Sequence, residues 1–271
     1  MKYNDMLSPY DNKGTVGKEE WLDSEELAEK ELDLLVDTIK SCEGRDILVL
    51  TGAGISTGCG IPDFRGKNGV WTREKMGLPA EDIDFSSVNP GIVHRALVEL
   101  EKKNKIGFLI SQNVDNLHLK SGFPREKLYE VHGNLFMEKC NKCHREYMRD
   151  YVVPSVGFKP TGNKCEGNLR TGRSCRGKLH DATLDWENEL DAVALNHIYV
   201  MLKTCKVFLV LGTSLEIEPI GSMPLEAQKN GAHVLTVNLQ NTAFESKMQH
   251  KIHANVDTVM KSLCKKLDIE I

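Results

Sequence analysis

The chain of 271 residues carries 35 Lys and Arg against 39 Asp and Glu, and this net charge of −4 gives no whole-chain pull toward nucleic acid or an anionic membrane. Its longest apolar runs, such as Val207–Leu211, fall far short of the ~20 residues of a membrane span, and the opening MKYNDMLSPYDNKG lacks the apolar core of a secretory signal. No membrane role is expected, and the eight cysteines read as thiols or metal ligands in a reducing, intracellular compartment, not as a disulfide framework.

The length suits one large domain, or one domain carrying a smaller insertion. Residues 1–23 are polar and read as a flexible lead-in. Ser24 can cap a helix whose first turn carries Glu25 and Glu26 and whose Leu27, Leu34, Leu35 and Ile39 recur at helical spacing. A strand over 47–50 follows, then Asn89-Pro90 as the cap and first residue of a second helix with Val93, Leu97 and Leu100 on one face. Next come a strand over 107–111, a helix from about 192 to 203, the strand 207–211, a helix ending near Gly231, a strand over 233–237 and a last helix near 256–267. Strands and helices alternate. The fold class is therefore α/β, a Rossmann-like parallel sheet with helices on both faces, and ligands gather beyond the carboxyl ends of its strands. Three polar clusters fall at such ends: Thr51–Arg65, Gln112–His118 and Gly212-Thr213-Ser214.

The first of these clusters continues ILVLTGAGISTGCGIPDFRG, residues 47–66. The run Ile47–Leu50 suits a parallel strand buried on both faces, and Gly52 and Gly54 allow a sharp turn with no Cβ in the way of a ligand. A helix starting near Ile55 would point its free N–H groups and positive dipole end at a pyrophosphate. Thr57, however, stands where a G-x-G-x-x-G motif has its third glycine. About 20 residues on, Val70-Trp71-Thr72 offers no ribose-binding acid at a strand end. These departures argue against an ordinary hydride-transferring dehydrogenase.

Between about Asn134 and Leu179 the alternation breaks into a glycine- and lysine-rich stretch holding Cys140-x2-Cys143 and Cys165-x9-Cys175. Four thiolates fill a zinc tetrahedron and leave no open position for a catalytic water, so one structural Zn2+ is expected to hold this small module together. The expected organisation is a polar segment 1–23, a nucleotide-binding domain over 24–133 and 180–271, and a zinc module over 134–179. Cys42, Cys59, Cys205 and Cys264 have no such partners and read as core or turn thiols.

Taken together and in order, TGAGISTGCGIPDFRG, SQNVDNLH, VHGN, the four cysteines, LGTSLEIEP and VNLQ resemble the sirtuin family of NAD-dependent protein deacylases. NGVWT, FKPTG, ATLDWENEL and LDIEI are most similar to its sirtuin 6 branch. The resemblance implies a Rossmann-type domain, a zinc domain, and a cleft between them where NAD meets an acylated lysine. By family position Gly52, Ala53, Gly54 and Thr57 would face the NAD phosphates, and Asp63, Phe64 and Arg65 the nicotinamide ribose. Trp71 would cover the cofactor. Gln112, Asn113 and Asp115 match the Q-N-x-D motif, with Asn113 ordering the ribose and Asp115 the nicotinamide carboxamide. Gly212, Thr213, Ser214, Asn238, Gln240 and Val256 would contact the adenosine half, Asn238 taking the role of the missing acid. His132 matches the catalytic histidine, and a neutral imidazole can in any case accept a proton from a ribose hydroxyl near pH 7. Asp185 and Trp186 would line the peptide groove, although a Trp beside acids is also an ordinary surface feature.

Asn116 departs from the glycine expected after Asp115, and the segment after Glu189 is shorter than the branch usually has. The branch's basic carboxyl-terminal extension does not follow Ile271, so a nuclear location rests on resemblance alone. The leading expectation is deacylation of acetyl- or longer acyl-lysine on histones or nucleosomes, giving nicotinamide, free lysine and O-acyl-ADP-ribose. Protein mono-ADP-ribosylation from the same NAD site is the alternative. A non-catalytic NAD sensor or chromatin scaffold is a second, with the intact His132, Asn113 and Asp115 against it.

Overall fold

A computed structural model describes residues 3–79, 81 and 83–271. Short helix α1 (Tyr3–Met6) comes first, and α2 (Glu25–Lys40) leads into the sheet. Ser24 caps α2 by accepting from the Leu27 N–H at 3.3 Å. Its inward face is Leu32, Leu35, Val36 and Ile39, while Leu27 and Leu34 are 42% and 43% exposed. At about 100° per residue, Leu27 and Leu34 fall about 130–150° round the helix from the centre of that buried stripe, on the outward face.

Strand β1 (Ile47–Thr51) is followed by α3 (Val70–Lys75), α4 (Ile92–Lys102), β2 (Phe108–Ser111), α5 (Leu117–Lys120) and β3 (Leu128–Glu130). Helix α4 begins two residues later than Asn89-Pro90 suggested. Gly91 is its cap residue, and the Gly91 N–H donates forward to His94 Nδ1 at 3.2 Å. The chain then leaves for a separate antiparallel sheet of β4 (Gly133–Cys140), β5 (Glu146–Met148), β6 (Pro160–Lys164) and β7 (Lys178–Thr183), in the order β5-β4-β7-β6. It returns through α6 (Ala192–Leu202), β8 (Val207–Leu211), α7 (Met223–Lys229), β9 (His233–Val237), β10 (His250–Ile252) and α8 (Val256–Lys266).

The main sheet is parallel, in the order β10-β9-β8-β1-β2-β3. Alternation along β1 explains its unbroken apolar run. Ile47 and Val49 face a core shared with α2, α4 and α8, and Leu48 and Leu50 face a second core shared with α6 and α7. Strand order reverses at β1, between β2 on one side and β8 on the other. Such a switch point opens a crevice at the carboxyl ends of the strands. Among the described residues, no helix is long and apolar enough to cross a membrane.

Candidate active site

The turns after β1 and β8 meet at that crevice. Gly52 N–H donates to the Leu211 carbonyl at 3.0 Å and Gly54 N–H to the Gly212 carbonyl at 2.9 Å. A Cβ on Gly52 would stand 2.6 Å from Thr213 Cβ, and one on Gly54 2.8 Å from the Gly212 oxygen. The glycines are thus required first by the packing of one turn on the other. The expected helix near Ile55 is absent: Ala53–Ile55 and Thr57–Cys59 are single 3-10 turns, the second closed by Gly60 at φ +90°. Turns this short align too few peptides for a macrodipole, so any phosphate held here would meet individual N–H groups.

Ser56, fully buried, ties this loop to the next motif. Its hydroxyl donates to Asp115 Oδ2 at 2.7 Å and accepts from Asn113 Nδ2 at 3.3 Å. Asp115 Oδ1 accepts from the Leu117 N–H at 2.9 Å, and Gln112 Nε2 donates to Thr213 Oγ1 at 2.8 Å. The β3–β4 turn lies alongside, with Val131 N–H donating to the Ser111 carbonyl and Leu135 N–H to the Val114 carbonyl, at 2.9 and 3.0 Å.

His132 sits in that turn with Nδ1 2.8 Å from the Gln112 carbonyl oxygen. A carbonyl only accepts, so Nδ1 carries the proton and Nε2 keeps the lone pair in the neutral ring. Burial lowers the His132 pKa below the ordinary 6.5, partly offset by the Gln112 bond. The ring is therefore a neutral base near pH 7.

These groups line a cleft of about 300 Å³, with an adjoining hollow of about 350 Å³ that shares Gly54, Asp63, Gly212, Asn238 and Gln240 with it. Gly52, Ala53, Phe64, Arg65, Trp71, Gln112, Asn113, Asp115, His132, Thr213, Ser214, Asp185 and Trp186 face the first lobe, and Thr57 and Val256 the second. The Gln240 amide nitrogen is already committed to the Lys18 carbonyl, and Asn238 Nδ2 to the Gln240 carbonyl.

The lead-in is not loose. Ser8 donates to the Asp185 carboxylate from its backbone N–H at 3.0 Å and from Oγ at 2.7 Å, and Tyr10 stacks on Trp186 with ring centroids 4.5 Å apart. Asp185 and Trp186 therefore line the cleft but are engaged by residues 8–10. Arg65 lies 4.5 Å above the Trp71 ring, with Nε on the Lys13 carbonyl, while its buried Nη2 has no partner among the described residues. An unpartnered buried guanidinium nitrogen beside a glycine turn suits an anionic ligand, and the two joined lobes suit an elongated one.

At the far end of the second sheet the sulfurs of Cys140, Cys143, Cys165 and Cys175 lie within 4.8 Å of one another. Cys140–Cys175 and Cys143–Cys165 are 3.7 and 3.6 Å apart, close to the edge of a tetrahedron with Zn–S bonds of about 2.3 Å. The Tyr147 hydroxyl, 3.0 Å from Cys165 Sγ, draws that thiol down to about 6, whereas burial holds Cys175 up at about 12. A cation among the sulfurs would take up the remaining negative charge, so the donor set fits one zinc ion.

A sequence model of the Sir2 family matches residues 52–83 and 76–219. The chain is 48% identical to the NAD-dependent protein deacetylase sir-2.4 of Caenorhabditis elegans, over 99% of this chain and 93% of that protein. The chain belongs to the Sir2 family. It is also 40% identical to the NAD-dependent protein deacetylase Sirt6 of Drosophila melanogaster, over 99% of this chain and 85% of that one. The solved structure of a Sir2 protein with p53 peptide and NAD+ superimposes with a TM-score of 0.65 at 25% identity, over 88% of this chain and 98% of that one. Sequence reasoning missed two groups of residues in this Sir2 chain. Ser56 sits inside the recognised glycine turn, yet only tertiary contact makes it a hub. Tyr3, Leu7 and Tyr10 line the cleft from a segment whose polar composition gave no periodic signal.

Proposed function

We propose that this Sir2 protein is an NAD-dependent protein-lysine deacylase, converting acyl-lysine, NAD and water to lysine, nicotinamide and O-acyl-ADP-ribose. The observation that carries the reading is the fixed tautomer of His132 in a cleft shared with Asn113 and Asp115. When bound, NAD supplies a glycosidic carbon from which nicotinamide departs. The turn residues Gly52–Gly54 and Arg65 hold phosphate and ribose, Asn113 and Asp115 orient the nicotinamide end, and His132 Nε2 takes the proton of a ribose hydroxyl. The zinc ion of the four cysteines is structural.

Long-chain acyl groups are included because the cleft wall carries Leu7, Ile61, Val70, Phe85, Val114 and Leu184, more apolar surface than an acetyl group can cover. Nucleosomes are proposed as partners because residues 134–179 hold ten Lys and Arg against four Asp and Glu, with Lys142, Lys164, Arg170, Arg173, Arg176 and Lys178 exposed on a chain that is acidic as a whole. A nuclear site of action goes with that partner.

The test is incubation of the purified protein with NAD and matched acetyl- and myristoyl-lysine histone peptides, free and on nucleosomes, followed by mass measurement of peptide and small products. NAD-dependent acyl loss, faster for myristoyl on free peptide, is the expected result. Faster acetyl removal would overturn the acyl preference. Addition of a whole ADP-ribose without acyl loss would replace deacylation with ADP-ribosyl transfer.

A further inference from the structure

Asn116 adopts φ +66°, the left-handed region that glycine occupies without cost and asparagine tolerates better than most residues. Here the side chain adds something glycine cannot. Its Oδ1 accepts from Asn134 Nδ2 at 3.0 Å, and the second hydrogen of the same nitrogen goes to Glu130 Oε1 at 2.7 Å. Asn134 is 1% exposed, and its Oδ1 accepts from the Phe136 N–H at 2.8 Å. Flipping this amide would set two acceptors against an acceptor and a donor against a donor, so the orientation is fixed. The three residues span the two motifs. Asn116 follows Asp115 directly, Glu130 ends β3, and Asn134 lies two residues beyond His132. Without this bridge the pairing of the segments around Asp115 and His132 rests on main-chain bonds and on the His132–Gln112 contact.

We propose that the Glu130–Asn134–Asn116 bridge is a positioning device that locks the Asp115 turn against the turn that carries His132 and so sets the geometry in which the nicotinamide end of NAD is held. Asn116 and Glu130 are positioning residues, acting through Asp115 and His132. The device rests on the NAD-dependent reading above and adds to it a side-chain lock where the family resemblance led us to expect glycine.

Asn116→Gly deletes the bridge and keeps the backbone conformation, so it isolates positioning from folding. NAD affinity by calorimetry, amide exchange over residues 113–117 without NAD, melting temperature, and KM and kcat would be measured beside the wild type. The expected result is a loss of about three- to tenfold in NAD affinity and a matching rise in KM, the worth of one net hydrogen bond. Exchange should be faster, kcat within about twofold, and the melting temperature within a few degrees. Glu130→Gln keeps an acceptor for Asn134 and should hold near wild-type affinity, whereas Glu130→Ala should lose it. Unchanged NAD affinity and exchange in Asn116→Gly would overturn the proposal. So would a fall in kcat that tracks a fall in melting temperature, which marks a structural role alone. A wild type that removes no acyl group would sink the deacylase reading instead, leaving affinity and exchange to decide the bridge.

Discussion

A single hydrogen bond decides what His132 can do. Because Gln112 accepts from Nδ1, the basic nitrogen is Nε2, and because burial lowers its pKa, the ring stays neutral below the ordinary 6.5. A base must be neutral to act, so activity falls on the acid side as pH drops through that lowered value. The acid limb of kcat/KM is expected to have its midpoint below about 6.5, and a midpoint above 7 would contradict this role. The glycines carry a different prediction. Gly54→Ala drives a Cβ to 2.8 Å from the Gly212 oxygen, which should cost about 1–3 kcal/mol in denaturant unfolding even without NAD. His132 and the glycines were legible in the sequence because motifs name residue types at fixed spacing. Ser56 and Asn134 were not, since their roles come from partners 59 and 18 residues away along the chain.

Among the elements, strands β1, β2, β8 and β9 and helices α2, α4, α6, α7 and α8 were legible because unbroken apolar runs and 3.6-residue periodicity survive into the fold, whereas the antiparallel strands β4–β7 were read only as a break in the alternation. Elsewhere the failures were local. The loop after β1 reads as a helix start, yet its turns are pulled into 3-10 geometry by the β8 turn. Helix α4 takes its start from the His94 ring, not from Asn89-Pro90. Strands β3 and β10, three residues each, are too short to leave a pattern. The four-cysteine end of the second sheet has little apolar core of its own, with Leu179 the one buried hydrophobic side chain besides the cysteines among its described residues. Removal of zinc by a strong chelator is therefore expected to melt this sheet while the parallel sheet keeps its far-ultraviolet signal. Metal analysis should give one zinc per chain. A chelated protein with unchanged amide protection over 134–179 would show that the cysteines are not structural ligands.

Over the whole molecule, buried titratable groups set the response to pH. Burial lowers the pKa of His94, His118, His132 and His233. As pH falls below 6.5 the unfolded chain takes up protons that the folded one refuses, so the stability these residues allow at neutral pH is lost. Glu130 works the other way. Burial raises it to about 7, so between its ordinary 4.5 and 7 the folded state keeps a proton the unfolded state has shed, and stability gains as pH falls. The histidines outnumber it, and the melting temperature should fall from pH 7 to 5.5. A rise over that interval would show the histidines to be solvated. The segment 3–17, which joins the parallel sheet to the loop after β7 through Lys13, Ser8 and Tyr10, was opaque in the sequence because the contacts that tie it down are long-range.

The most direct test of the central claim is the stoichiometry of one reaction followed by mass spectrometry, in the wild type and in His132→Ala. With a myristoyl-lysine peptide, nicotinamide, free lysine peptide and O-acyl-ADP-ribose should appear one for one in the wild type. In the variant the rate should fall by about 10²–10⁴-fold, with NAD still bound. Release of the acyl group as a free carboxylate without nicotinamide, or a variant as active as the wild type, would contradict the account.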